Sequence, residues 1–175
     1  KAILTSKKHK TGSDRIFECY EKLDLKDVDY IINLQGDEPN IDLSDLRHLS
    51  KLININKPEI GTIAAEIDNK SKFNDENIVK VITENKITKE NFPIAIDFKR
   101  IVDDQITNIY HHIGVYAFKP KILKKIINLK QTKNEITNRL EQLRAMENRI
   151  KINVALAKFS PIGIDTMEDY LALKK

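Results

Sequence analysis

Apolar residues recur early in the chain at two alternating spacings. Ile16, Cys19, Tyr20 and Leu23 stand at i, i+3, i+4 and i+7, and Leu46, Leu49 and Ile53 repeat that stripe further on. This spacing predicts helices over residues 11–23 and 42–55. Each opens on a polar capping sequence, Thr11-Gly-Ser-Asp14 and Asp42-Leu-Ser-Asp45. Between them the continuous run Tyr30-Ile31-Ile32 predicts a buried strand over residues 29–35, and residues 2–4 read as the close of another. Residues 60–67, 78–84, 95–100 and 109–118 read as further strands, the first two rich in Ile, Val and Thr. Helices follow over 121–129 and 135–148, then a strand over 150–157 and a helix from 166. Strand alternating with helix implies right-handed crossovers and a largely parallel sheet. The strand-rich middle is open to antiparallel pairing or a small subdomain. The class is α/β.

Composition narrows this picture. The chain's 175 residues, 41% of them hydrophobic, suffice for one domain with a real core. No repeat, low-complexity tract or linker divides it. The net charge of +4 permits an anionic partner, but the basic residues are scattered among 26 acids and form no stripe, which argues against nucleic acid. Cys19 is the single cysteine, so no internal disulfide or cysteine metal cluster exists, and its place on the first helix's apolar stripe marks packing rather than nucleophilic chemistry. No signal peptide or membrane-length apolar stretch occurs, which fits a reducing, cytosolic setting without a membrane partner. The chain starts at Lys1, without an initiator methionine, and reads as a fragment or processed form that begins in mid-domain.

Residues 33–40, NLQGDEPN, raise the main chemical question. Asp37 and Glu38 follow a core strand and repel each other unless something positive faces them. In open α/β sheets, ligands bind beyond the strands' carboxyl ends. There Gly36 admits a close backbone approach, and Asp37 suits Mg²⁺, which prefers oxygen donors. The alternative is plain turn chemistry ahead of a helix. Asp165, in Ile162-Gly-Ile-Asp-Thr166, poses the same choice between a helix cap with Glu168 at N3 and a second metal carboxylate. Together the two acids would hold metal on a polyphosphate. His111 and His112 fall on opposite sides of their strand, one able to face a pocket. No third ligand follows at zinc spacing. Glu141 and Arg144, at i, i+3 on a helix whose apolar positions are Ile136, Leu140, Leu143 and Met146, read as a surface pair. His9, Gly12 and Arg15 surround the first helix's N-terminus, a natural anion site.

Five stretches then carry a resemblance: Leu4-Thr-Ser-Lys-Lys-His-Lys-Thr-Gly-Ser-Asp-Arg15, Asn33-Leu-Gln-Gly-Asp-Glu-Pro39, His112-Ile-Gly-Val-Tyr116, Leu140-Glu-Gln-Leu-Arg144 and Gly163-Ile-Asp-Thr-Met-Glu-Asp169. In this order they resemble the 3-deoxy-manno-octulosonate cytidylyltransferase (CMP-Kdo synthetase) family across essentially the whole chain. The resemblance implies a Rossmann-like fold of the nucleotide-diphospho-sugar transferase type, with a mixed, mainly parallel sheet flanked by helices. It implies transfer of CMP from CTP to the anomeric hydroxyl of the acid sugar Kdo, with Mg²⁺ and release of pyrophosphate. The setting it implies is lipopolysaccharide biosynthesis by a homodimer in the cytoplasm of a Gram-negative bacterium. Asp37 and Asp165 then become the catalytic metal carboxylates. Gln35, Arg100, His112, Tyr116, Glu141 and Gln142 become sugar contacts, and Gly12, Arg15 and Gly36 nucleotide contacts. An arginine fork with Gln, Tyr and Glu suits a carboxylate bearing many hydroxyls.

The chain also departs from the family. The family's first strand and its Gly-, Arg- and Lys-bearing phosphate loop have no counterpart here. The expectation is therefore a single domain over 1–175, a fragment with a small strand-rich insertion at about 85–118, inactive and poorly stable alone. Lys99-Arg100-Ile101-Val-Asp-Asp104 replaces the family's Ser-Arg, small residues and Ile-Pro, and Asn138 stands where an acid is common. The competing readings are a related acid-sugar nucleotidyltransferase and a catalytically dead α/β interaction module.

Overall fold

In the computed structural model, which describes residues 2–36, 40–103, 105–160, 167 and 171, Thr11 caps the first helix. Its hydroxyl accepts the Asp14 N–H while the Asp14 carboxylate accepts the Thr11 N–H, a closed capping box over α1 (Gly12–Leu23). Asp42 caps α2 (Leu43–Asn56) by accepting the Ser44 N–H at 2.7 Å. The strands are β1 (Ile31–Leu34), β2 (Ile60–Glu66), β3 (Lys80–Thr83), β4 (Ala95–Lys99), β5 (Ile109–Phe118) and β6 (Ile152–Leu156). The remaining helices are α3 (Pro120–Ile127), α4 (Lys133–Asn138) and α5 (Gln142–Glu147). Residues 2–4 form no strand. They lie against α1, where the Lys22 ammonium donates to the Leu4 carbonyl at 2.9 Å.

The sheet runs β4-β3-β5-β2-β6, with β1 also on β5. Its sense differs from the expected mainly parallel pairing. β1, β2, β3 and β6 do run one way, but β5 runs against them and lies among them. Hence β1–β5, β2–β5, β3–β5 and β3–β4 pair antiparallel, and among the described strands only β2–β6 pairs parallel. β5 is ten residues long, enough to pair with β2 along one edge and with both β1 and β3 along the other. Residues 85–118 thus contribute β4 and the central strand β5 to this same sheet.

Each face of the sheet is covered. Leu49, Leu52 and Ile53 of α2 pack on Ile63, Ile113, Val115 and Ala155. Phe17 of α1, Leu123 and Ile126 of α3, and Leu143 of α5 pack on Ile60, Tyr116, Phe118, Ile152 and Val154. Each such Leu, Ile or Phe contributes on the order of 1.5–3 kcal/mol by leaving water. Gly61 permits the closeness of α2, since a Cβ there would meet Ile53 at 2.9 Å, Phe92 at 3.1 Å and Leu49 at 3.2 Å. β1 is less buried than its apolar run suggests. Ile32 and Leu34 are 43% and 49% exposed while the polar Asn33 is buried.

The single helix expected over 135–148 is two helices. Arg139 ends α4 in the left-handed conformation, φ 54°. The break has a cause in the core. Buried Arg144 forks onto buried Glu135, Nε donating at 2.8 Å and Nη2 to the other oxygen. A continuous helix would separate these residues by about 13.5 Å along its axis, beyond the reach of that fork. Arg144 is therefore no surface partner of Glu141, and Ile136, on the apolar stripe of the sequence, is 60% exposed.

Candidate active site

The site begins at the split edge of β5. β2 occupies one edge of β5 over residues 110–118. The other edge is shared, with β1 on 115–118 and β3 on 109–111. β1 and β3 point the same way, so the chain leaving β1 through Gln35 and Gly36 meets the entrance to β3. There the His112 N–H donates to the Val79 carbonyl at 2.9 Å. A cleft of about 2060 Å³ opens at this point. A pocket for one small ligand holds roughly 300–1,000 Å³, so this one has room for two substrates.

Nine of the sequence-predicted site residues line it: Gly12 and Arg15 at the start of α1, Gln35 and Gly36 after β1, and Arg100 after β4, with His112 and Tyr116 on β5 and Glu141 and Gln142 at the start of α5. Asp37 and Asp165 lie outside the described residues. Asp37 directly follows Gly36, and Asp165 follows Ser160 by five residues. Gly36 and Ser160 both line the cleft. The path from β6 towards Asp165 is anchored: buried Asp45 accepts the Lys158 N–H at 3.2 Å, and His111 Nδ1 pairs with the Ser160 hydroxyl. Among the described residues no three metal-ligating side chains gather. Carboxylates are the hard oxygen donors that Mg²⁺ takes, and in the sequence Asp37 and Asp165 come one and five residues after the cleft-lining Gly36 and Ser160. The Cβ direction of Gly36 meets open space, so no packing demand explains this glycine.

The floor of the cleft is aromatic and buried. A β-bulge between Thr62 and Ile63 shifts the ladder, so that Thr62 faces Tyr116 while Ile63 faces Ile113. The Thr62 hydroxyl fills the gap, donating to the Val115 carbonyl at 2.7 Å and lying 3.0 Å from His112 Nε2. His112 stands edge-on to Phe98 and tilted against Tyr116, which stacks on Phe118. Burial, with a smaller effect from His111, pushes the His112 imidazole down to about 3. Burial, reinforced by the Glu141 charge, raises the Tyr116 phenol well above its ordinary value. The Tyr116 hydroxyl and Glu141 Oε1 are buried without a hydrogen-bond partner. Unsatisfied polar atoms facing a cavity invite a ligand that satisfies them.

Arg100 lines the cleft with its side chain tied to the main chain. Its guanidinium donates to three main-chain carbonyls, Glu76 at 2.7 Å, Asn138 at 2.9 Å and Arg139 at 3.4 Å. Arg15 donates to the Thr5 hydroxyl at 3.1 Å and the Ser6 carbonyl at 3.3 Å. Glu18 completes that anchorage. Hydrogen bonds from Lys22, the Ser6 N–H and His9 hold its carboxyl down to about 2.

Several cleft residues escaped sequence reasoning. Asn33 had one available signal, a polar residue inside an apolar strand. Lys72, Lys99 and Arg139 had none, because only tertiary packing brings them to the cleft, and His111 lines it together with His112 although strand alternation placed only one of the two in a pocket. With Arg15 and Arg100, the cations Lys72, Lys99 and Arg139 tilt its rim towards positive charge, although Lys72 and Lys99 are paired with Asp68 and Asp97.

The cytidylyltransferase family model matches residues 1–152. The 3-deoxy-manno-octulosonate cytidylyltransferase of Thermodesulfovibrio yellowstonii is 38% identical, over 100% of this chain and 72% of its own length. The 8-amino-3,8-dideoxy-manno-octulosonate cytidylyltransferase of Shewanella baltica is 36% identical, over 97% of this chain and 69% of its own. A solved CMP:2-keto-3-deoxy-manno-octonic acid synthetase complexed with CTP matches with a TM-score of 0.84 at 28% identity, covering 99% of this chain and 72% of that one. An apo UDP-glucose pyrophosphorylase, 15% identical with a TM-score of 0.63, shares the fold.

Proposed function

The chain belongs to the 3-deoxy-manno-octulosonate cytidylyltransferase (CMP-Kdo synthetase) family, and we propose that it transfers CMP from CTP to the anomeric hydroxyl of Kdo. The observation that carries this reading is the convergence of eight motif residues, from four of the five family stretches, together with Arg100 on one cleft, where Tyr116 and Glu141 leave buried polar atoms unpartnered.

The sugar hydroxyl attacks the α-phosphorus in line, a new P–O bond forms, and the bond to pyrophosphate breaks. The protein's contribution to such a step is positioning and electrostatics. Tyr116 and Glu141 offer a hydroxyl and a carboxylate oxygen to the sugar's own hydroxyls. Gln35 and Gln142 add amide donors and acceptors. His112, kept neutral by burial and oriented by Thr62, presents a fixed ring without adding charge. Arg15 and the start of α1 face the nucleotide's anionic end. Asp37 and Asp165 would hold Mg²⁺, which when bound neutralises triphosphate charge. The assembly is a homodimer acting in the cytoplasm, and its product feeds lipopolysaccharide assembly.

Kdo-dependent release of pyrophosphate from CTP tests the reading, on the chain alone and preceded by a relative's N-terminal segment. Release with UTP or GTP in place of CTP, or with sialic acid in place of Kdo, overturns it. Kinship with the Shewanella enzymes favours a second acceptor, the 8-amino sugar. Competition between the two sugars decides between them.

A further inference from the structure

Lys80 opens β3 beneath the cleft and is 0% exposed. Its ammonium donates to two main-chain carbonyls, Asp75 at 2.6 Å and Arg100. No carboxylate pairs with it among the described residues, although a buried ammonium is costly and an apolar side chain would be cheaper to bury. What its hydrogen bonds secure is residue 100. The Arg100 main chain is pinned from below by Lys80, and its side chain then reaches across the cleft. It grips Glu76, beside the Lys80-bound Asp75, together with Asn138 and Arg139 on the far side. These last two carbonyls belong to the left-handed turn that ends α4, and the next residues are Leu140, Glu141 and Gln142.

We propose that Lys80 is a positioning residue for the sugar site, acting through Arg100 to hold the turn that presents Glu141 and Gln142. Arg100 is accordingly a clasp between the two walls of the cleft. The role in sugar binding rests on the function proposed above, whereas the staple itself is a mechanical claim with its own readout. The turn's backbone is hydrogen-bonded, Leu140 N–H to Glu135 and Leu143 N–H to Leu140, both at 3.2 Å, so its order is visible to amide exchange.

Lys80→Met removes the ammonium at nearly constant volume. Hydrogen exchange of the Leu140 and Leu143 amides is expected to quicken about tenfold or more, with the α2 amides unchanged. In turnover, KM for Kdo is expected to rise about tenfold while KM for CTP stays within twofold. In an Arg100→Gln background, Lys80→Met should add little to the Kdo effect, because both remove the same connection. A folded Lys80→Met protein with wild-type exchange at 140–143 overturns the staple. Altered exchange with an unchanged KM for Kdo overturns the link to the sugar, and absence of turnover in the parent protein overturns only the function. If Lys80→Met does not fold, Arg100→Gln, which leaves the carbonyls bound by Lys80 in place, takes its role, and unchanged exchange at 140–143 then overturns the proposal.

Discussion

The Thr62 hydroxyl sits 3.0 Å from Nε2 of His112 and has no proton left to give it. That proton goes to the Val115 carbonyl at 2.7 Å, so the hydroxyl accepts and the ring donates. The network thereby assigns the Nε2–H tautomer of a neutral imidazole. One bulge in the sheet fixes the orientation and tautomer of a cleft residue, while burial keeps it neutral.

A dependence of stability on pH follows. In the unfolded chain His112 takes up a proton near 6.5, whereas burial holds the folded value at about 3. Its contribution is complete above pH 6.5 and is lost as the pH falls towards 3. At pH 5 the loss from His112 is about 2 kcal/mol. His111, pushed down to about 4 by burial, acts in the same direction. Urea unfolding at pH 7 and pH 5 measures this, and His112→Asn should flatten the difference. A variant as pH-sensitive as the parent would assign the effect elsewhere.

Thr62→Val preserves shape and removes the acceptor. The His112 N–H is then buried without a partner, at a cost of about 1–3 kcal/mol in stability. The shift in unfolding midpoint, at constant denaturant slope, checks this figure.

Tyr116→Phe is expected to separate stability from function. The hydroxyl it removes is buried and unpartnered, so the free protein should be unchanged or up to about 1 kcal/mol more stable. Affinity for Kdo, measured calorimetrically, should fall about tenfold, as for one lost hydrogen bond of about 1.4 kcal/mol. Parallel losses of stability and affinity would instead mean that the hydroxyl serves the fold.

Glu135→Gln leaves Arg144 buried beside a neutral amide and is expected to cost about 3–5 kcal/mol. Replacing both partners, Glu135→Leu with Arg144→Met, should cost less than either single change. Additive losses in this double-mutant cycle would show that the two side chains do not act as a pair.

Gly61→Ala places a methyl group against Ile53 and should cost about 1–3 kcal/mol through displacement of α2. A thermal midpoint equal to that of the parent would show that α2 gives way freely.

Much of this molecule was legible before folding. The caps at Thr11 and Asp42 use side chains two or three residues from their targets, and such contacts are written in short sequence patterns. β5 runs over 109–118 as its composition suggests. The motif residues of the cleft were legible through resemblance, since family motifs mark chemistry without requiring a fold. Asp37 and Asp165, expected in the same way, lie outside the described residues.

Pairing sense, helix breakage and the state of buried charge belong to the tertiary structure. Nothing local to residues 109–118 tells that β5 runs against its neighbours, because strand direction is chosen by partners distant along the chain. The stripe Ile136, Leu140, Leu143 and Met146 promises a continuous helix, yet the Glu135–Arg144 pair can close only across a break. Nothing in the sequence singles out Lys80, and Arg100 was legible only as a sugar contact, but each becomes a tie between main-chain carbonyls once separate strands and turns converge on it. Short-range patterns are set by the periodicity of the backbone. Which groups lose water, and what they must bond to in exchange, is settled only when the whole chain has packed.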